Sequence, residues 1–308
     1  MPTETGDRFV SGFVSILGRP NAGKSTLLNA LVGAKVAIVS KRPQTTRTSI
    51  QGVLNAPGCQ IVFLDTPGVH EAPKLIHRRM METVRAAVPD RDLLLWIADA
   101  TMPFTEEDIK AFSILKGVSP PRILLLNKID VLHEKSALLP LIEKYNQAES
   151  FAETIPISAA TGNGLDELKA AIIRRLPEGP QYFPPEHLTD QPERFLAAEL
   201  IREKILERTQ QEVPHAVAVV VDQWEERPRL VRIAATVYVE REGQKRIVIG
   251  AKGAMLKQTG AEARQEIEGI LGRRVYLELF VKVRPDWRES SEFLNEIDWR
   301  CMAGGEAR

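Results

Sequence analysis

The sequence predicts two successive domains, an α/β domain with a mostly parallel sheet and then a smaller α+β domain. Three observations lead there. Across residues 9–176, short apolar runs alternate with amphipathic stretches, the pattern of strands and helices built around a sheet covered on both faces. Residues 177–192, PEGPQYFPPEHLTDQP, interrupt this pattern with five prolines. Beyond them the order becomes helix-strand-strand-helix-helix-strand. The expected division is therefore 9–176 for the first domain, 177–192 for a semi-rigid linker, 193–285 for the second domain and 286–308 for a tail.

In the first domain, strands are expected at 13–17, 50–54, 61–64, 93–98, 123–126 and 154–157, each a short run of apolar residues. Helices are expected between them at 24–32, 74–88, 105–115, 137–151 and 165–176, where apolar residues recur at helical spacing. The polar, basic stretch 35–48 is longer than a simple connection, and long loops in compact domains are usually functional. In the second domain a helix at 193–208 leads to strands at 216–224 and 230–240. A helical turn, the sequence GAKG, a helix at 254–271 and a strand at 275–283 follow.

Composition narrows the class. Of 308 residues, 44% are hydrophobic and 27% charged, as in ordinary globular proteins, and 41 basic residues balance 41 acidic ones. No overall charge announces nucleic acid or a membrane, so such a partner must be read from a local cluster. Cys59 and Cys301 have neither metal-ligand spacing nor a disulfide framework, which suits reduced, incidental thiols. The N-terminal MPTETGDRFV lacks the basic and apolar regions of a signal peptide. The longest apolar run, 93–98, is far short of the ~20 residues a membrane helix needs. A cytoplasmic protein is expected.

The chemistry lies in three short motifs. GRPNAGKS at 18–25 fits G-x-x-x-x-G-K-[ST], after an expected strand and at the start of an expected helix. Gly18 and Gly23 let the backbone curl so that N–H groups point at phosphate. Arg19, Pro20, Asn21 and Ala22 form the loop between them, and Thr26 follows it. Lys24 supplies a point charge to the β- and γ-phosphates, reinforced by the helix N-terminus. Ser25 offers a hydroxyl to Mg²⁺, with Asp65 as the carboxylate partner.

DTPG at 65–68 follows a strand about forty residues later. There Gly68 can present its N–H to a γ-phosphate, with Thr66, Pro67 and Val69 around it, so that the following segment senses GTP against GDP. NKID at 127–130 selects the base. The Asp130 carboxylate can accept hydrogen bonds from guanine N1 and N2, which adenine does not offer. Asn127 is placed to tie the loops together and the Lys128 stem to pack over the ring, with Ile129 the remaining member of this nucleotide-binding motif. Ser158 and Ala159 follow the last strand, where a backbone N–H can reach guanine O6. Within PQTTR at 43–47, both Thr45 and Thr46 are candidates to complete the Mg²⁺ shell, with Thr46 preferred.

With GRPNAGKS, QTTR, DTPGV, NKID and ISA in this order, the first 176 residues resemble the Era branch of the translation-factor-related GTPases. The resemblance implies a Ras-like P-loop domain and slow GTP hydrolysis to GDP and phosphate, with Lys24, Thr46, Gly68 and Asn21 in catalytic roles. The glutamine that orients water in Ras-like proteins is replaced by Val69. Relatives with an apolar residue there often use K⁺ held by the P-loop asparagine, here Asn21, whose alternative role is to hydrogen-bond its own loop.

The second domain's order of elements resembles a type II KH domain, and VIGAKGAML supplies its GxxG loop, Gly250, Ala251, Lys252 and Gly253. Such a loop clamps the backbone of about four nucleotides. Residues 227–257 hold eight basic side chains, Arg246, Lys252 and Lys257 among them, against two acidic ones, a local footprint for RNA. FVKVRPDW at 280–287 extends the likeness over nearly the whole chain. The resemblance implies a monomer that binds the 3′ end of 16S rRNA and assists maturation of the small ribosomal subunit, with membrane contact at most peripheral. An RNA chaperone gated by nucleotide, with little hydrolysis, is the alternative.

Overall fold

The computed structural model describes residues 9–69 and 73–300. Cys301, the N-terminal residues 1–8 and the end of the tail at 301–308 lie outside them. The described residues divide into two compact units, one comprising 9–37, 46–69 and 80–190, the other 38–45, 73–79 and 191–300.

The first unit is built on a six-stranded sheet. In chain order its elements are β1 (Val10–Leu17), α1 (Lys24–Val32), β2 (Ile50–Ala56), β3 (Cys59–Asp65), α2 (Leu75–Ala86), β4 (Leu93–Asp99), α3 (Glu106–Ala111), β5 (Arg122–Asn127), α4 (Leu138–Ala148), β6 (Glu153–Pro156) and α5 (Leu165–Ile173), the unit division running through α2. The strand order is β2-β3-β1-β4-β5-β6. All pairs are parallel except the edge hairpin β2–β3. Burial on both faces explains the unbroken apolar runs: in β4 six consecutive residues, Leu93 to Ala98, are buried.

One face packs on α1 and α5 through Leu27, Leu28, Leu168 and Ile172. The other packs on α2, α3 and α4 through Met81, Val84, Ala111, Leu141 and Tyr145. The expected helix at 105–115 is shorter than its pattern: α3 ends at Ala111 and a 3₁₀ turn, Phe112–Leu115, completes it. That turn seats Phe112 against Trp96, 4.7 Å between ring centroids.

The proline-rich segment 177–190 is not a free tether. It belongs to the first unit and runs along the β2–β3 edge. The fully buried Gln60 accepts from the Tyr182 and Phe183 amides (2.7 and 3.0 Å) and donates to Phe183 O (2.8 Å). Val53 N donates to Leu188 O, and Tyr182 packs against Phe13. Proline suits such a position because it lies along an edge without needing an amide donor.

The second unit contains α6 (Glu193–Arg208), α7 (Val213–Ala216), β7 (Ala218–Arg227), β8 (Leu230–Val239), α8 (Glu242–Ile249), α9 (Ala254–Leu271), β9 (Arg274–Val283) and α10 (Ser291–Glu296). Its sheet order is β7-β8-β9, with β7–β8 an antiparallel hairpin and β8–β9 parallel. The parallel pair needs a crossover, which α8 and α9 supply. One sheet face carries Val231, Ile233, Ala235, Val237 and Val239 into a core shared with Ile201, Ile205, Ala263 and Ile267. The one-turn α7 and the tail helix α10 are additions to the expected order. Trp287 is fully buried and donates to Ala216 O at 2.9 Å, and Phe293 of α10 packs edge-on to Tyr238.

Residues 38–45, part of the long basic loop, also lie in this unit. Ile38 enters its core. Val39 N donates to the Glu203 carboxylate at 2.7 Å and Arg42 donates to Thr209 O at 2.8 Å. Arg202, 1% exposed, donates to Thr45 O at 2.5 Å. No local pattern announced that α6 would bury this charged pair, Arg202 and Glu203.

The Gln60→Ala substitution is expected to cost about 1–3 kcal/mol in urea denaturation, because it removes from a fully buried position the side chain that bonds the Tyr182 and Phe183 amides and Phe183 O. It is also expected to expose segment 177–190 to limited proteolysis.

Candidate functional site

The loops after β1, β3, β5 and β6 all leave the same, carboxyl edge of the parallel sheet, where α/β folds place their ligands. The 18–25 loop curls through left-handed backbone at Asn21 (φ 62°) and Gly23 (φ 102°). A Cβ at Gly23 would stand 2.3 Å from Asn127 Nδ2, and one at Gly18 would stand 2.2 Å from Ile97 O, so both positions require glycine. Lys24 is buried and its ammonium donates to Gly18 O (3.1 Å) and Arg19 O (2.8 Å).

Asp65, fully buried, receives the Ser25 hydroxyl at 2.6 Å and lies 3.4 Å from the Thr46 hydroxyl, while Ser25 and Thr46 are 2.8 Å apart. The fold brings Thr46 here and not Thr45, whose hydroxyl donates to Arg42 O at 2.7 Å. Burial raises the Asp65 carboxyl to about 6, against the pull of Lys24 and of bonds from Ser25, Thr46 and Thr66. Burial likewise lowers Lys24 to about 8, with Asp65 opposing.

Asp65 Oδ1 is buried without a hydrogen-bond partner. An unpaired carboxylate oxygen beside two hydroxyls is an all-oxygen donor set suited to a hard divalent cation such as Mg²⁺. Among the described residues no cluster of three or more His, Cys, Asp or Glu side chains offers another metal site.

The 65–68 turn closes on the phosphate loop. Val69 N donates to Gly18 O at 3.0 Å, and a Cβ at Gly68 would meet Pro20 backbone at 2.7 Å. Thr66, fully buried, donates to Ile16 O, and Pro67 is buried beside it. The buried Val69 side chain has no polar group to offer a water. Ala22 is buried under the loop, Thr26 is half-buried on α1, and Asn21 stands exposed at the crest.

At the other end of the edge, Asn127 donates to Ala22 O (2.8 Å) and accepts from Ala159 N (2.9 Å), joining three loops. The Ser158 amide donates to Asn163 O. Both amides of that expected base-contacting pair are thus engaged inside the protein. Ile129 is buried, whereas the Asp130 carboxylate is exposed at the rim. Lys128, at φ 70°, pairs with Asp99 at 2.5 Å. Burial opposes ionisation of Asp99, yet its bonds from Lys128 and Thr101 hold it below the ordinary carboxylate range. Asp99 was not foreseen from sequence. It ends β4, 29 residues from its partner, and carries no motif of its own.

In the second unit, Gly250–Gly253 bridge α8 and α9 with φ of 74° at Gly250, 51° at Lys252 and 79° at Gly253. A Cβ at Gly250 would meet Met255 Cβ at 2.7 Å, whereas Gly253 opens onto clear space. Ala251, Lys252, Arg246 and Lys257 are exposed around this opening. Two of the eight basic residues turn elsewhere: Arg227 pairs with Glu225 and Arg232 with Glu278. Of the other six, Arg229 lies in the turn between β7 and β8, and Arg241, Lys245, Arg246, Lys252 and Lys257 lie on the loop, on its flanking helices or at the start of α8.

Residues 13–128 match the family described as 50S ribosome-binding GTPase, and residues 212–288 match the KH domain. The GTPase Era of Geobacter metallireducens is 50% identical over 293 residues, 94% of this chain and 98% of that protein. The GTPase Era of Lactobacillus delbrueckii subsp. bulgaricus is 47% identical, covering 94% and 96%. Among solved structures, a point variant of Aquifex aeolicus Era bound to GDP·AlF₄⁻ superposes with a TM-score of 0.91 at 41% identity, covering 94% of this chain and 99% of that one. Era in complex with MgGDPNP and nucleotides 1506–1542 of 16S ribosomal RNA gives 0.92 at 41% identity, with the same coverage.

Proposed function

The chain belongs to the GTPase Era family, and we propose that it acts as a GTP-timed clamp on the 3′ segment of 16S rRNA, assisting rRNA processing and assembly of the small subunit. It is a GTP-binding, GTP-hydrolysing protein. We assign the nucleotide work to residues 9–176 and the RNA work to residues 193–285, in a monomer acting in the cytoplasm with only peripheral membrane contact. Among the described residues, no helix is long and apolar enough to cross a membrane.

The observation that carries the nucleotide reading is the convergence of Ser25, Thr46 and Asp65 oxygens beside the buried Lys24. In this reading Lys24 and the amides of the 18–25 loop bind the β- and γ-phosphates and offset charge that grows on the transferring group. Mg²⁺, when bound with nucleotide by Ser25, Thr46 and Asp65, supplies further positive charge at the phosphate oxygens. Gly68, lying against Pro20, presents its amide from the side of the γ-phosphate. Asp130 reads guanine N1 and N2 from the rim. Asn127, Lys128, Ile129, Ser158 and Ala159 shape the base pocket.

Because Val69 cannot orient water, charge compensation at the loop crest becomes the main catalytic resource. Asn21, exposed there, is the residue to hold K⁺. Turnover is expected to be about tenfold or more faster in KCl than in NaCl at equal ionic strength. Equal rates in the two salts would remove the ion from the account.

The RNA reading rests on the open Gly253 and on the exposed Lys252, Arg246 and Lys257 around it. A phosphate backbone can approach closely there, and the three cations can offset its charge.

Asp130→Asn is expected to weaken GTP binding about a hundredfold or more, because a carboxylate that accepts two hydrogen bonds becomes a group that also donates. Competition among nucleoside triphosphates reads this out, and an unchanged preference for GTP would count against the guanine assignment. Gly253→Asp is expected to weaken binding of an oligoribonucleotide matching the 16S rRNA 3′ end about tenfold or more, leaving GTP affinity unchanged. Equal RNA affinity in a filter-binding titration would exclude the clamp.

A further inference from the structure

Asp108 lies in the first turn of α3 and is 3% exposed. As the third residue of a capping box it needs only one bond, to the Thr105 amide, which it makes at 2.9 Å. Its carboxylate does more. Oδ2 also accepts from the Thr105 hydroxyl at 3.0 Å and from Arg19 Nη1 at 3.1 Å, and Oδ1 accepts from the Tyr145 hydroxyl at 3.0 Å. Arg19 Nη1 further donates to Thr105 Oγ1 at 3.2 Å, and its Nη2 pairs with Glu107. One buried acid thus joins α3, α4 and the second residue of the phosphate-binding loop.

The far side of this cluster is rigid. Tyr145 packs edge-on to Phe104 and Phe112, 4.8 and 6.1 Å between centroids. Burial and the neighbouring Asp108 raise the Tyr145 hydroxyl above its ordinary pKa, so it remains a donor. The near side reaches the reaction centre. Arg19 O accepts from Lys24 Nζ at 2.8 Å, so the residue held by its guanidinium holds the ammonium by its carbonyl.

We infer that Asp108 is a positioning residue for GTP hydrolysis, acting through Arg19 on the loop that carries Lys24. A forked guanidinium spans Thr105, Glu107 and Asp108 together, which an ammonium on a flexible stem does not. Small displacements of a group that offsets transition-state charge are costly to rate, while ground-state binding, shared with the loop amides and the guanine contacts, changes less. The inference rests on the assignment of Lys24 to the phosphates.

The test uses the full-length protein hydrolysing GTP with Mg²⁺ and K⁺. Asp108→Ala and Arg19→Ala are each expected to lower kcat about tenfold, with KM within about twofold. Asp108→Asn, which keeps an acceptor, should recover part of the rate. The Asp108→Ala, Arg19→Ala double variant should be no slower than the slower single, because the two residues act as one unit. Tyr145→Phe removes one donor and keeps the ring; its smaller loss of kcat carries the test if Asp108→Ala does not fold. A purely structural cap would lower the unfolding midpoint and leave kcat of the folded enzyme intact. Unchanged kcat in the single variants, or losses that multiply in the double, would overturn the inference. Lys24→Ala separates the two levels: substantial turnover there would bring down the phosphate assignment itself.

Discussion

Asn127 holds the nucleotide edge of this protein together. Its carboxamide is the only part of the NKID motif that faces inward with both ends used, donating to Ala22 O and accepting from Ala159 N among the described residues. The loops it joins leave the ends of three different strands. Each would otherwise be set only by its own turn geometry, and a multi-loop site tolerates little such freedom. The arrangement also dictates local sequence: Asn127 Nδ2 fills the space a side chain at position 23 would need, so the phosphate loop bends there through glycine.

Charge at the edge is arranged around burial. Lys24 and Asp65 are opposite charges in a dry setting, and burial moves each toward its neutral form, Lys24 down to about 8 and Asp65 up to about 6. The unpaired Asp65 Oδ1 adds to this imbalance. Under the proposed assignment, phosphate oxygens would supply counter-charge to the lysine and a divalent cation to the carboxylate.

The other polar anchors are also shared between elements. Arg19 reaches from the phosphate loop into the α3 cap, and Asp99 at the end of β4 holds Lys128. Gln60 fixes the proline-rich segment along a sheet edge, and Arg202 and Glu203, buried on α6, hold the backbone at Thr45 and Val39. Each is a charged or amide side chain that makes at least one hydrogen bond to a residue distant in the chain. Such bonds offset the cost of burying polar groups in a packed interior.

The sequence by itself determined the order of the strands and of every helix but the short α7 and α10, the mostly parallel sheet, the change of architecture past the proline-rich segment, and the chemical character of both loops. Those properties are local: apolar periodicity, glycine at sharp bends, and motif residues that act within eight positions of one another. It preferred Thr46 to Thr45 without geometry to exclude either, took 177–192 for a semi-rigid linker, and gave no sign of Asp99, Asp108 or Arg202. Tertiary structure decided these. Thr46 meets Ser25 and Asp65 while its neighbour turns to Arg42, and Asp108 finds Arg19 across 89 positions. The physical reason is that partner choice for a buried polar group depends on which elements pack beside it, and packing is a property of the whole chain.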